Sequence, residues 1–353
     1  MKHVIVPFFI SHQGCPHQCV FCDQKAITGS SGALPAADEL LSKVRAWRRT
    51  SGAESVEVAF YGGSFTLLPR EQQEELLTPL KPMLKSGEVS SIRLSTRPDA
   101  VDSATAEFLC GSGVSLVELG VQSMDDSALE MSGRGHQSQH TIDALSLLRA
   151  AGLKVGAQMM PGLPGESATG AVASFRKMLS LSPDLVRIYP AVVLKGTELA
   201  RMCQEGSFRP LLLEEAVAIC KIMLHDAARA GIPVIRVGLQ PTDDLSRGSE
   251  IIAGPYHPAL RQLAQGERWY DLLKLLSGEI CPGGSLTIYT SRSEVSDVVG
   301  QKRRNIIRLE KLSASAVAGV SADDSLPAGR ICIATDHKRI HGDLLRDLNY
   351  AAT

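Results

Sequence analysis

Short β-branched runs alternate with amphipathic stretches from the start of the chain to about residue 200, and that alternation leaves few architectures open. Strands joined by helical crossovers pair in parallel through right-handed connections. Six strand candidates carry the rhythm: Val4 to Ile10, Val56 to Tyr61, Ser91 to Thr96, Leu116 to Val121, Lys154 to Met159 and Leu185 to Tyr189. Helical patterns lie between them over 35–50, 69–85, 102–112, 138–151 and 166–181. Asp38 with Glu39, and Pro69 before Glu71, read as helix starts; Gly87, Gly113 and Gly152 read as stops. A closed barrel of this type needs about eight such units. Six therefore predict an α/β fold built on a partial (β/α)6 barrel of the TIM type.

After residue 200 the rhythm changes. A long helix at 211–230 leads to a short strand, Val234 to Val237, and then to an irregular region through Gly254, Pro255, Tyr256, His257 and Pro258. Helical patterns at 258–277 and 300–312, with strand candidates at 285–290 and 330–334, predict a smaller α/β appendage. The expected division is a barrel over 1–200 and an accessory or substrate region over 201–353.

The 353 residues carry 37 basic against 38 acidic side chains, which excludes a uniformly basic nucleic-acid coat and leaves only local patches open. No apolar run approaches the roughly 18 residues of a membrane span; the one from Val4 to Ile10 is interrupted by Pro7 and is too short for a secretion signal. The expectation is a cytoplasmic protein with no membrane partner. In a reducing cytoplasm the eight cysteines are not a disulfide framework. Cys110 and Cys220 fall in helical apolar patterns and read as core residues.

Three cysteines are different. Cys15, Cys19 and Cys22 follow directly on the first strand, where a barrel of this kind places its active site. Two readings fit the spacing. A structural zinc site would recruit His12 or His17 as a fourth ligand. A [4Fe–4S] cluster would take three thiolates and leave one iron open.

Further motifs stand at the ends of successive strand candidates: Tyr61-Gly62-Gly63-Ser64, Ser95-Thr96-Arg97-Pro98-Asp99, and Val117-Glu118-Leu119-Gly120-Val121-Gln122-Ser123 followed by Gly133-Arg134-Gly135-His136. The fifth gives Gln158-Met159-Met160-Pro161-Gly162-Leu163-Pro164-Gly165, and the sixth Arg187-Ile188-Tyr189-Pro190. Together with Cys-x3-Cys-x2-Cys and Phe21 before the last cysteine, this set resembles the radical S-adenosylmethionine (radical SAM) superfamily. The wording is most similar to the radical SAM domain of the Elongator catalytic subunit, and more distantly to oxygen-independent coproporphyrinogen oxidase-like proteins. Two departures limit the transfer. Residues beyond 200 hold no Arg/Gln-x-x-Gly-x-Gly/Ala acetyl-CoA loop, and the third strand carries Ser95 where coproporphyrinogen oxidase has an acidic ribose ligand.

The resemblance implies that Cys15, Cys19 and Cys22 hold the cluster, whose open iron chelates SAM. It places Phe21 against the adenine and the backbone of Gly62 and Gly63 at the SAM amino group. Gln122 and Arg134 would meet ribose and carboxylate, and Gln158 the nucleoside. The implied reaction is reductive cleavage of SAM to a 5′-deoxyadenosyl radical that abstracts hydrogen from a substrate, with a reductant such as flavodoxin or ferredoxin. Candidates for the substrate side are Tyr189, Arg187, Lys195 and Glu118; the alternative for Glu118 is a buried pairing with Arg97 or Arg187.

The Elongator-like core points to tRNA modification, and the run Lys302, Arg303, Arg304 and Arg308, with Lys311, supplies charge for phosphates. The alternatives are a radical SAM enzyme for a small, tetrapyrrole-like metabolite, or a non-catalytic iron–sulfur or zinc-binding module.

Overall fold

The computed structural model describes residues 2–16, 18–24, 33–240 and 250–350. The chain divides into two compact units. One comprises Met1–Leu211 with Leu239–Tyr256, the other Leu212–Gly238 with His257–Thr353.

In the first unit, six strands pair in chain order, each parallel to the next: β1 (His3–Phe9), β2 (Ser55–Tyr61), β3 (Ser91–Thr96), β4 (Val114–Gln122), β5 (Lys154–Met159) and β6 (Leu185–Ile188). All six coincide with the expected strands to within one or two residues. Side chains alternate across a strand, and here the alternation separates two chemistries. Val56, Val58 and Phe60 of β2, Ile92 and Leu94 of β3, Val117, Leu119 and Val121 of β4, and Val186 and Ile188 of β6 are buried on one face. Helices Ala37–Ser51, Ser103–Gly111 and Ser138–Ala150 pack against strands of this sheet. Each large apolar side chain removed from water contributes about 1.5–3 kcal/mol. The intervening positions carry Glu57 and Tyr61, Arg93, Glu118 and Gln122, Gln158, and Arg187.

Helix starts follow their capping residues. Asp102 accepts from Thr105 N at 2.7 Å, and Ser167 from Gly170 N at 3.0 Å. The helix expected over 69–85 is broken into Arg70–Leu77, a tight turn at Thr78–Leu80, and Lys81–Ser86. Pro79 and Pro82, which cannot donate to the helical ladder, account for the break. Two short helices, Asp126–Met131 and Glu198–Gln204, were not expected, although Asp125 and Thr197 cap them in the usual way.

Val193–Leu194 pairs antiparallel with Ile251–Ala253, so the turn-rich segment after Ile251 begins as an added strand of the first unit. Gly254 follows with φ +105, and a Cβ there would stand 3.1 Å from Ala191 O.

The second unit holds helices Leu213–Arg229, Leu260–Ser277 and Arg304–Ser313, and a four-stranded sheet. Ser285–Thr290 is central in that sheet, parallel to Ala316–Ala322 and antiparallel to Arg330–Thr335, which pairs in turn with Arg339–Asp343. Trp269, Leu272, Ile288, Ile306, Leu309 and Ile333 lie in one core. Among the described residues no helix is long and apolar enough to cross a membrane.

Candidate functional site

The three clustered cysteines lie on the loop that leaves β1. Main-chain bonds fix its course: His12 N donates to Gly62 O at 3.0 Å, Ser64 N to Gln13 O at 3.0 Å, and Cys22 N to Cys19 O at 3.0 Å. His12 Nε2 accepts from Gln24 N at 2.9 Å and so closes the loop; His17 lies outside the described residues. Cys15 is exposed, Cys22 half-buried and Cys19 buried. Cys15 Sγ is 3.5 Å from Ser64 Oγ, and Gln24 Nε2 is 3.7 Å from Cys22 Sγ. Burial, reinforced by the nearby Cys19 and then Cys15 thiols, pushes the Cys22 thiol up to about 12. Crowded thiols of this kind ionise together only around a cation. Among the described residues no three His, Cys, Asp or Glu side chains are grouped to hold a single ion. A cubane differs from such a site in spreading its thiolates over separate irons. The donor set, three thiols on one loop, fits that arrangement.

Opposite this loop the Gly62-Gly63 pair follows β2. A Cβ on Gly63 would lie 2.5 Å from both Ile10 O and Gln13 O, so the second glycine is demanded by the backbone of the cysteine loop itself. Gly62 has φ +89, a conformation that glycine adopts without strain. Gln122, at the end of β4, has φ +67, and its Oε1 accepts from Gln158 Nε2 at 3.1 Å. Arg134 is buried; its Nη1 donates to Cys19 Sγ at 3.2 Å and its Nη2 to Gly120 O. Two pairs, Gln122 with Gln158 and Arg134 with Cys19, thus stand by the ends of β4 and β5, the second tied to β4 through Gly120 O. Phe21 belongs to an apolar cluster with Cys19, Leu163, Ala191, Leu199 and Phe208.

A layer of charge lies within the barrel face. Arg93 donates to Glu118 Oε1 at 3.1 Å and also pairs with Glu57. Arg187 Nη2 donates to Glu118 Oε1 and to Tyr61 Oη, each at 3.0 Å, and its Nη1 to Tyr189 Oη at 3.0 Å. Burial, and after it the Glu118 charge, raises the Tyr61 hydroxyl well above the usual tyrosine range. Of the two expected partners of Glu118, Arg187 is therefore one, and Arg97 is not. Arg97 forks onto Asp99 at 3.0 and 2.9 Å and donates to the main-chain oxygen of Arg134. Sequence reasoning missed Arg93, Glu57 and Tyr61, although their period-two placement on β2 and β3 was the available signal. Lys195 is exposed in a turn, and its backbone N–H donates to Glu250 O at 2.8 Å; no described contact joins it to this layer.

In the second unit the basic run is not uniform. Arg308 Nη1 is 2.7 Å from Glu267 Oε1 and its guanidinium lies 3.2 Å over the Tyr270 ring, while Arg304 Nη1 is 3.8 Å from Glu267 Oε1. Lys302 and Arg303 are exposed, and neither has an ion pair among the described residues.

The profile of the radical SAM superfamily matches residues 9–176, and that of the radical SAM C-terminal domain matches residues 183–269. Residues 9–176 thus form a radical SAM domain, and the radical SAM superfamily is a class of enzymes whose cofactors are a [4Fe–4S] cluster and S-adenosylmethionine. Within that class the chain is similar to the tRNA uridine(34) acetyltransferase of Methanocaldococcus infernus, with 31% identity over 61% of this chain and 48% of that protein. Elongator complex protein 3 of Danio rerio is 29% identical over 47% of this chain and 34% of its own length. The fold is shared with the archaeal Methanocaldococcus infernus Elp3 lacking its N-terminus, at a TM-score of 0.60 and 23% identity over 74% of this chain and 62% of that one. The chain thus spans about half the length of the first of these relatives.

Proposed function

We propose that this chain is a radical SAM enzyme that modifies RNA, with Cys15, Cys19 and Cys22 as the cluster ligands. The observation that carries the reading is the loop bearing the three cysteines, seated on the Gly62-Gly63 backbone with the Arg134 guanidinium on Cys19. A cluster held there by Cys15, Cys19 and Cys22 would supply one-electron reduction of SAM, and with it the radical chemistry that takes hydrogen from a substrate.

The chain's own residues do the rest. Gly63 lets the backbone after β2 approach the cysteine loop without a side chain between them. Gln122 and Gln158, already bonded to each other, present amide groups for the nucleoside, and Phe21 brings apolar surface behind the cysteines. The Glu57–Arg93–Glu118–Arg187 layer is closed on itself, so Tyr189, half-buried and held by Arg187, is the side chain of that layer best placed for a substrate. RNA as the substrate class is supported by the activity for which the Methanocaldococcus infernus relative is named, tRNA uridine(34) acetyltransferase, and by the exposed Lys302 and Arg303. An acetyl-CoA step is not part of the proposal.

Anaerobic reconstitution tests it. About four irons per chain, with SAM cleavage under dithionite that tRNA stimulates, is the expected result. Cys15→Ser, Cys19→Ser and Cys22→Ser should each abolish cleavage. One zinc per chain without cleavage would sink the radical chemistry, and cleavage indifferent to tRNA would sink the RNA substrate alone.

A further inference from the structure

We propose that Arg134 sets the reduction potential of the cluster through a hydrogen bond to the Cys19 thiolate. This rests on the cluster reading above and adds a role for a residue that the sequence resemblance assigns only to SAM. Arg134 Nη1 stands 3.2 Å from Cys19 Sγ, a distance at which an N–H donates to sulfur, and the two residues are 115 positions apart in the chain.

The guanidinium is held in place from both ends. Its Nη2 donates to Gly120 O, and a Cβ at Gly120 would lie 3.3 Å from Nη2 and 3.0 Å from Gln122 Nε2, so a glycine there leaves the fork its room. At the other end the main-chain oxygen of Arg134 accepts from Arg97, which is itself fixed by two bonds to Asp99. Arg134 Nε is buried with no hydrogen-bond partner among the described residues, and no described carboxylate pairs with Arg134. A buried cation needs an anion within reach. The Cys19 sulfur is the group that fills that place.

Cluster potentials are set by net charge, by hydrogen bonds to the sulfurs and by solvent access. Partners one shell out from the metal tune it through its ligands. A fixed cation donating to a ligand thiolate stabilises the more negative, reduced cluster and so raises the potential. Arg134 acts through Cys19, and it is a positioning residue in this role whether or not it also meets SAM.

An anaerobic redox titration of the reconstituted protein, followed by electron paramagnetic resonance with SAM left out, separates the two roles. Arg134→Gln should weaken the reduction equilibrium at least tenfold, a fall of about 59 mV for a one-electron couple. Arg134→Lys, which keeps the charge and loses the fork, should fall less. An Arg134→Gln protein with the parent's iron content and the parent's potential would overturn the inference and leave the cluster reading standing. A parent that takes up no iron would overturn both. Should both variants keep the parent's far-UV circular dichroism yet bind less iron, the bond to Cys19 is needed for the thiolate to hold iron at all, which supports it.

Discussion

Arg187 reaches Glu118 across an intervening strand, its Nη2 at 3.0 Å from Oε1 and its Nε on Oε2. The strand between them, β5, offers Gly156 beside Glu118, and a Cβ there would lie 3.2 Å from Glu118 Cγ. The bare backbone at 156 therefore clears the path for an ion pair that spans three strands. With Arg93 and Glu57 the layer contains two acids and two bases, and its charges cancel beneath the ends of the strands.

Glu118→Gln should therefore cost more than an ordinary polar substitution. It leaves the buried Arg93 and the half-buried Arg187 with one carboxylate, Glu57, between them. Breaking a buried pair from one side costs about 3–5 kcal/mol. Urea unfolding of parent and variant measures it, and a loss below about 1 kcal/mol, the value of an exposed pair, would show that the layer is open to water.

At Gly63 the relevant contacts are main-chain oxygens, which cannot rotate away. Gly63→Ala would push Ile10 O and Gln13 O from 2.5 Å and displace the loop that carries Cys15. We expect a loss of about 1–3 kcal/mol, as for overpacking elsewhere, together with reduced iron uptake on reconstitution. Normal iron loading and stability would show that the cysteine loop does not depend on that seat.

His136 gives the fold an acid-sensitive element. Both ring nitrogens are buried with no hydrogen-bond partner among the described residues. Burial, followed by the Arg134 charge, brings its pKa from 6.5 down to about 3, with Asp99 pulling it up and Arg97 and His140 pulling it further down. The unfolded chain thus binds a proton that the folded one refuses, and stability rises with pH through that window. It is fully present above 6.5 and is lost as pH falls toward 3. Unfolding free energies measured above and below 6.5 should diverge in the parent and converge in His136→Phe; an unchanged slope in the variant would assign the acid sensitivity elsewhere.

The strands of the barrel were legible because each is a β-branched run whose apolar face needs helices over it. The cysteine loop was legible because its ligand spacing is local. What escaped the sequence depends on register. Glu118 finds Arg187 and Arg93, not Arg97, because Arg93 lies within β3 while that strand ends at Thr96. Arg97, beyond that end, turns to Asp99 instead. The Arg134–Cys19 contact likewise depends on where the turn between helices Asp126–Met131 and Ser138–Ala150 comes to rest. In the second unit, Ala316–Ala322 and Arg339–Asp343 are outer strands rich in small or polar residues, with Gly319 and Gly342 inside them. Val317, Val320 and Ile340 are their only β-branched residues, too few to announce a strand.

The basic run of the second unit divides an RNA interface into testable parts. Arg308 is committed to Glu267 and to the Tyr270 ring, so it has less charge to offer a phosphate. Lys302 and Arg303, exposed and both in the left-handed conformation at φ +53 and +59, stand free of such pairing among the described residues. Each phosphate contact contributes about 0.7–0.9 to the slope of log affinity against log salt. The double change of Lys302 and Arg303 to alanine should therefore reduce that slope for tRNA by about 1.4–1.8, while Arg308→Ala should change it less and instead lower stability. Equal slopes for all of these variants and the parent, in filter binding across a salt series, would place any RNA contact on another surface.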